Sequence, residues 1–164
     1  MATVFLGLGT NLGDRPANLA AAIAALGRLG RVDAVSGIYE TAPLYVTDQP
    51  AFLNMAVRLS TQLGARALLV ALKALEDELG RVASVRYGPR LIDLDILFYD
   101  DLVLDEPDLS IPHPRLHERR FALVPLADIA AQLVHPREHR TIAQLLAALP
   151  AEDDVVPAQV ALAC

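Results

Sequence analysis

Asp93 and Asp95 stand two residues apart in the apolar run Ile92-Asp93-Leu94-Asp95-Ile96-Leu97-Phe98. A β-strand sends alternate side chains to the same face, so the two carboxylates would project together, roughly 6–7 Å apart along the chain. Leu94, Ile96 and Phe98 would point the other way, into a core. Charge on a core-backed strand is costly to keep without a partner. Paired carboxylates suit Mg2+, which takes one or two from the protein and leaves its other positions to water and substrate phosphates. An exposed strand face would also accommodate an Asp-x-Asp, so the surroundings decide between the two readings. Arg81, Arg86 and Arg90 flank the loop that enters this strand, which ends in Tyr87-Gly88-Pro89-Arg90. Phosphoryl transfer needs metal ions and cations aimed at phosphate charge more than covalent chemistry from the protein. Any one of these arginines could simply pair with Glu76, Asp77 or Glu78. Three of them beside an acid pair point to a metal-and-phosphate site.

Other residues are less specific. Gly7-Leu8-Gly9-Thr10-Asn11-Leu12-Gly13-Asp14 lacks the Gly-Lys-Ser/Thr ending of a P-loop and the spacing of a dinucleotide loop, so it reads as a strand-to-helix turn. Thr41-Ala42-Pro43-Leu44 is a stiff loop, and Phe52, Phe121 and Asn54 offer two aromatic faces and an amide. Flat heterocycles are held by such groups. On the residues alone, however, Phe52 and Phe121 read as core and Asn54 as a turn or bulge residue. His113, between Pro112 and Pro114, is barred from a helix interior. It is equally suited to donating to a phosphate or ribose and to bonding a backbone carbonyl.

These residues need elements to position them. Residues 3–9 read as a first strand. Asp14 is an N-cap for a helix with Pro16 in its first turn and Leu19, Ile23 and Leu26 on one face, ending at Gly27 and Gly30. A second strand is expected over 32–39, a loop over 40–50 and a third strand over 52–63. Leu68, Leu72, Leu75 and Leu79 form a helical stripe stopped by Gly80. The 81–89 segment reads as a loop and 91–99 as the acid-bearing strand. Short strand pieces are expected at 102–103 and 109–111, helices at 119–129 and 141–149, and a loosely packed tail after Pro150. The order strand–helix–strand–strand–helix–strand is the split βαβ pattern. The fold class is α+β: a ferredoxin-like α/β sandwich with a mainly antiparallel sheet and helices packed on it.

Composition narrows the rest. At 164 residues one domain, 1–164, is expected, and 54% hydrophobic residues can build its core. No apolar run reaches the ~18 residues of a membrane span, and no basic segment precedes the first apolar stretch. Cys164 is the single cysteine, which rules out an intrachain disulfide and fits a cytoplasmic protein. A net charge of −6 argues against general nucleic-acid binding. Of the 14 basic residues only Lys73 is lysine, and arginine is the better bidentate phosphate ligand.

Taken together, the blocks resemble the 6-hydroxymethyl-7,8-dihydropterin pyrophosphokinases of folate biosynthesis. The most specific stretch is Tyr87-Gly88-Pro89-Arg90-Leu91-Ile92-Asp93-Leu94-Asp95-Ile96-Leu97. Gly9-Thr10-Asn11-Leu12-Gly13-Asp14, Tyr39-Glu40-Thr41-Ala42-Pro43-Leu44, Asp48-Gln49-Pro50-Ala51-Phe52-Leu53-Asn54, Glu76 through Gly80-Arg81 and Ile111-Pro112-His113-Pro114 support it.

The resemblance implies an enzyme that moves pyrophosphate from ATP to the pterin hydroxymethyl group and releases AMP. It implies two Mg2+ ions on Asp93 and Asp95, with Arg81 and Arg90 joining them as catalytic residues. Glu76, Arg81, Arg86, Arg90 and His113 would face ATP, with Ile96 and Ser110 near its nucleoside. Phe52 and Phe121 would sandwich the pterin. Asn54, Thr41, Ala42, Pro43 and Leu44 would read its edge, and Asp95 and Arg119 would lie on the substrate side. Small-molecule substrates, no nucleic acid, no membrane and a monomer are the expected partners and state. The chain departs from some relatives in the uncharged Ala83-Ser84-Val85, in Tyr87 where tryptophan is common, and at Lys73 and Arg120. Neither the resemblance nor the residues choose between Asp95 and solvent as acceptor of the hydroxyl proton.

Overall fold

The computed structural model describes residues 1–41, 50–80, 91–150 and 154–159. The sheet is built on β1 (Ala2–Thr10), which pairs antiparallel with β4 (Phe52–Thr61) on one side and β5 (Asp93–Tyr99) on the other. Beyond β4 lie β2 (Arg31–Val35) and β3 (Tyr39–Thr41), each pairing with a different stretch of it. The order is therefore β5-β1-β4-β3-β8, where β8 is Val155–Pro157, with β2 off this path on β4. This is the expected split βαβ arrangement, with the second strand broken in two. The break falls at Ser36-Gly37-Ile38, where the Ser36 amide donates to the Ala56 carbonyl at 2.9 Å and the Ser36 hydroxyl accepts from the Ala56 amide at 2.8 Å.

α1 (Arg15–Leu26) starts where Asp14 accepts from the Ala17 amide at 3.2 Å, and a proline stands in its first turn. α2 (Ala65–Glu78) buries Leu68, Leu72 and Leu75, and Gly80 follows it at φ +94°, a conformation open to glycine. α3 (Arg120–Ala130) follows a short 3-10 turn at Leu116–Glu118. α4 (Ile142–Ala147) opens with a capping box between Thr141 and Gln144. Two short strands, β6 (Leu104–Glu106) and β7 (Leu109–Ile111), form a separate hairpin. The first of these lies two residues beyond its expected place.

The sheet has a core on each face. Val4, Leu6 and Leu8 of β1 pack with Leu94 and Ile96 of β5 and with the apolar sides of α1 and α2. On the other face, Phe5, Ala56, Leu97 and Phe98 pack with Leu116, Leu123 and Leu126 and with Ile142 and Leu145 of α4. Phe98 therefore does not join Leu94 and Ile96 as the strict alternation predicts. β1 and β5 slip register between Phe5 and Leu6, which pair with Phe98 and Ile96, so Leu97 is an inserted residue that moves Phe98 to the other face. Phe98 and Phe5 meet edge to face at 6.5 Å.

A second correction concerns the tail. Instead of packing loosely, Val155–Pro157 form β8, which pairs with β3. No helix among the described residues is long and apolar enough to cross a membrane.

His135 is 3% exposed, against the edge of Phe98, and its Nδ1 accepts from the amides of Arg137 and Glu138 at 3.1 Å each. Burial holds its pKa below the usual histidine value, and His113 is shifted the same way for the same reason. The unfolded chain thus takes up protons below about pH 6.5 that the folded chain refuses. Stability is expected to be fully present above that pH and to fall as pH drops toward 5. Each histidine contributes a slope of at most about 1.4 kcal/mol per pH unit. Urea midpoints between pH 7.5 and 5 check this; a midpoint independent of pH would contradict it.

Candidate active site

The site lies on the α3/α4 face of the sheet. Register sets its layout. Tyr39 pairs with Asn54, Asn54 with Gly9, and Gly9 with Asp93. In the next row Ala56 pairs with Gly7, and Gly7 with Asp95. Directly paired residues share a face, so Asp93, Asp95, Asn54 and the missing side chains of Gly7 and Gly9 all face the same way. Asp93 is half-buried and Asp95 exposed, with Leu94 and Ile96 buried behind them. The expected geometry of the acid pair is therefore present.

Gly9 makes a floor, whereas the Leu97 side chain lies over Gly7, 3.5 Å from where a Cβ would stand. A Cβ on Gly9 would sit 3.2 Å from Asn54 Oδ1 and 3.7 Å from a Phe52 ring carbon. Since neighbouring strands lie about 4.8 Å apart, this floor separates Asn54 from Asp93 by roughly 10 Å. A flat bicyclic ring held at the amide end would place a one-carbon arm near the carboxylates. The sequence reading gave this glycine segment no role beyond a turn.

Asn54 is 8% exposed, and its Nδ2 donates to the hydroxyl of Thr41, itself 4% exposed, at 3.0 Å. It stands in unbroken antiparallel pairing, so the turn-or-bulge reading is wrong. Phe52 and Phe121 are half-buried and absent from both cores, so the core reading is wrong for them as well. The Arg119 guanidinium lies over the Phe121 ring, 5.5 Å from its centre.

Residues 42–49 join β3 to the approach to β4, and both roots of this segment are tied to the start of α1. Arg15 Nη1 reaches Glu40 Oε1 and the Ala51 carbonyl, each at 2.9 Å, and Asn11 Nδ2 donates to the Pro50 carbonyl at 3.1 Å. Ala42, Pro43 and Leu44 lie outside the described residues, as do Arg81, Arg86, Tyr87 and Arg90. Arg15 and Asn11 escaped the sequence reading because their partners are 25 to 39 residues away.

His113 is carried past the end of β7 onto β5, where its amide donates to the Leu97 carbonyl at 3.1 Å. Its Nδ1 accepts from the Arg115 amide at 3.3 Å, which leaves Nε2 to carry the proton and donate. Burial lowers its pKa; the Asp95 charge opposes this, while Arg119 and Arg115 reinforce it. These charges place His113 within reach of the acid strand and of Arg119. Ser110 is half-buried on β7, with its hydroxyl 3.5 Å from Asp105. Ile96 is buried 6% exposed in the α1/α2 core, on the reverse face from the carboxylates.

Glu76 stands differently from the expectation that it faces ATP. It is 1% exposed, and its Oε2 accepts from the Leu94 amide at 2.8 Å while Lys73 approaches Oε1 at 3.3 Å. Leu94 lies between the two aspartates, so Glu76 fixes the strand that carries them. Glu76→Ala is expected to cost about 1–3 kcal/mol of stability by orphaning a buried amide and to slow turnover, with Glu76→Gln retaining more of both. Urea melts and initial rates check this; equal stability of Glu76→Ala and wild type would contradict it.

Among the described residues no group of three histidines, cysteines or acids converges on a metal. The donor set offered is two adjacent carboxylates. That suits a hard cation completing its shell with water and phosphate oxygens rather than one caged by protein.

Fold and site together define an α+β sandwich whose sheet carries, on one face, an acid pair in line with Gly9 and Asn54. The family model described as 7,8-dihydro-6-hydroxymethylpterin-pyrophosphokinase (HPPK) matches residues 5–131. The chain belongs to this family. It is 44% identical over 151 residues to the 2-amino-4-hydroxy-6-hydroxymethyldihydropteridine pyrophosphokinase of Pseudomonas aeruginosa, covering 91% of this chain and 93% of that one. Against the enzyme of the same name from Bacillus subtilis it is 45% identical, covering 79% and 78%. It is also 48% identical to the mitochondrial folate synthesis bifunctional protein of Pisum sativum over 77% of this chain, and there it spans only 25% of the relative's length. The fold matches the Plasmodium falciparum HPPK-DHPS structure with pteroate at TM-score 0.77 and 17% identity, covering 94% of this chain and 47% of that one.

Proposed function

We propose that the chain transfers pyrophosphate from ATP to the hydroxymethyl group of 6-hydroxymethyl-7,8-dihydropterin, releasing AMP, as a step of folate biosynthesis. The observation that carries this reading is the sheet face on which Asp93 and Asp95 lie together, with Gly9 as the floor between Asp93 and Asn54. Mg2+, two ions by family resemblance, would be held by Asp93 and Asp95 and, when bound, would neutralise charge on the phosphate oxygens.

The chain's own residues do the rest. Asn54, oriented by Thr41, reads the pterin edge together with Ala42, Pro43 and Leu44. Phe52 and Phe121 cover its two faces, and Arg119 is held against Phe121. These contacts fix the hydroxymethyl oxygen beside Asp95. His113 faces the phosphates with a donor Nε2–H, and Arg81, Arg86 and Arg90 bind the ATP phosphates. Ser110 and the β5 edge at Ile96 lie toward the nucleoside. Glu76 acts by holding β5. Orientation of this kind supplies much of the acceleration in a displacement that needs no covalent catalyst. In the reaction, the hydroxymethyl oxygen bonds to the β-phosphorus. The bond from that phosphorus to the α–β bridging oxygen breaks, AMP leaves with the bridging oxygen, and the hydroxyl proton passes to Asp95 or solvent.

Nucleotide analysis tests the reading. AMP forming in step with consumption of the pterin is expected. ADP or free phosphate as the product would overturn it.

A further inference from the structure

The C-terminal segment touches both walls of the pterin cleft. β8 pairs along the full length of β3: Tyr39 with Pro157, Glu40 with Val156 and Thr41 with Val155. β3 is only three residues long, and its other edge rests on β4, Tyr39 against Asn54 and Thr41 against Phe52. One residue before β8, Asp154 accepts from Arg120 Nε at 3.1 Å; the two side chains are 36% and 20% exposed. Arg120 opens α3, which has no side-chain N-cap, and its chain neighbours are Arg119 and Phe121. One residue after β8, the Ala158 amide donates to the Ile38 carbonyl at 2.9 Å, at the break between β2 and β3. Five consecutive residues thus bridge the strand carrying Thr41 to the helix start carrying Phe121.

Sheet order adds a second argument. β8 and β5 occupy opposite ends of β5-β1-β4-β3-β8, so the bridge stands at the pterin side and far from the acid strand. The family match covers residues 5–131 and so includes Arg120 but stops short of the bridge.

We propose that residues 154–158 are a clamp that sets the width of the pterin cleft, with Arg120 and Asp154 as positioning residues acting through Phe121 and Thr41. The clamp rests on the assignment of the pterin to these walls. Without the ion pair, β8 is held to α3 less firmly. The Phe121 ring and the Thr41–Asn54 pair then lose their fixed separation, while the groups assigned to ATP keep theirs. The clamp therefore governs pterin affinity and leaves ATP affinity alone.

The test measures KM for hydroxymethyldihydropterin, KM for ATP, kcat and melting temperature in Arg120→Ala, Asp154→Ala, the double alanine variant and the charge swap Arg120→Asp/Asp154→Arg, with Phe121→Ala as the reference. The expected result is a pterin KM raised about three- to fivefold in each single variant, no further rise in the double variant and partial recovery in the swap. ATP KM should stay at the wild-type value. If Phe121→Ala weakens pterin binding but the ion-pair variants do not, the clamp is wrong and the pocket assignment stands. If Phe121→Ala has no effect either, the pocket assignment fails and the clamp with it. A parallel rise in both KM values that tracks the melting temperature would reduce the bridge to a general structural support and overturn the proposal.

Discussion

Asp95→Ala is expected to lower AMP formation by on the order of 10³-fold while its melting temperature stays within about 3 °C of wild type. The two halves of this expectation have separate causes. Asp95 is exposed, so its removal leaves no cavity and no buried orphan. It also relieves repulsion from Asp93, two residues away on the same face. The strand is held by other groups: Leu94 and Ile96 in the core behind it and the Glu76 carboxylate on the Leu94 amide. The chemistry has no comparable reserve. The proposed cation site offers two carboxylates, and among the described residues no third acid or histidine joins them. Initial rates and thermal melts on the same preparation check both halves. Near-normal turnover would remove Asp95 from the site.

Gly9→Val is expected to raise the pterin KM at least about thirtyfold, with a much smaller change in ATP KM. The cause is steric and local. Even a Cβ at this position would stand 3.2 Å from Asn54 Oδ1, and the branches of valine would reach over the floor where the ring is placed. Asn54 cannot swing away freely, because its Nδ2 is bonded to Thr41. Valine is otherwise well suited to a strand, so the fold tolerates the change better than the cleft does. Substrate kinetics with each substrate varied in turn check this. An unchanged pterin KM would show that the ring does not lie over β1.

Strand periodicity carried the acid pair from sequence to structure without loss. Alternation over two residues is a local property, and Asp93 and Asp95 obey it. Where alternation had to run further it failed, because the inserted Leu97 turned Phe98 to the other face, and such a bulge depends on the partner strand. The helix starts at Asp14 and Thr141 were legible for the same local reason: each cap and its amide partner are three residues apart. Glu76 was assigned to ATP by the family resemblance alone; that its carboxylate accepts from the Leu94 amide was not legible, because the two are 18 residues apart. Phe52, Phe121 and Asn54 looked like core and turn residues because type alone does not distinguish a core aromatic from a half-buried one outside both cores. β8 was illegible because three residues ending in proline have no strand pattern of their own. They become a strand only through β3, more than 100 residues earlier in the chain.

In the proposed reaction the pterin hydroxymethyl oxygen attacks the β-phosphorus of ATP at this face of the sheet. Parallel reactions with ATP radiolabelled at the α- or the β-phosphate, followed by separation of nucleotide and pterin products, test it most directly. The α-label is expected to stay wholly in AMP and the β-label to move wholly to the pterin, with formation of both products lowered on the order of 10³-fold in Asp95→Ala. β-Label remaining in ADP while the pterin gains only the terminal phosphate would contradict it.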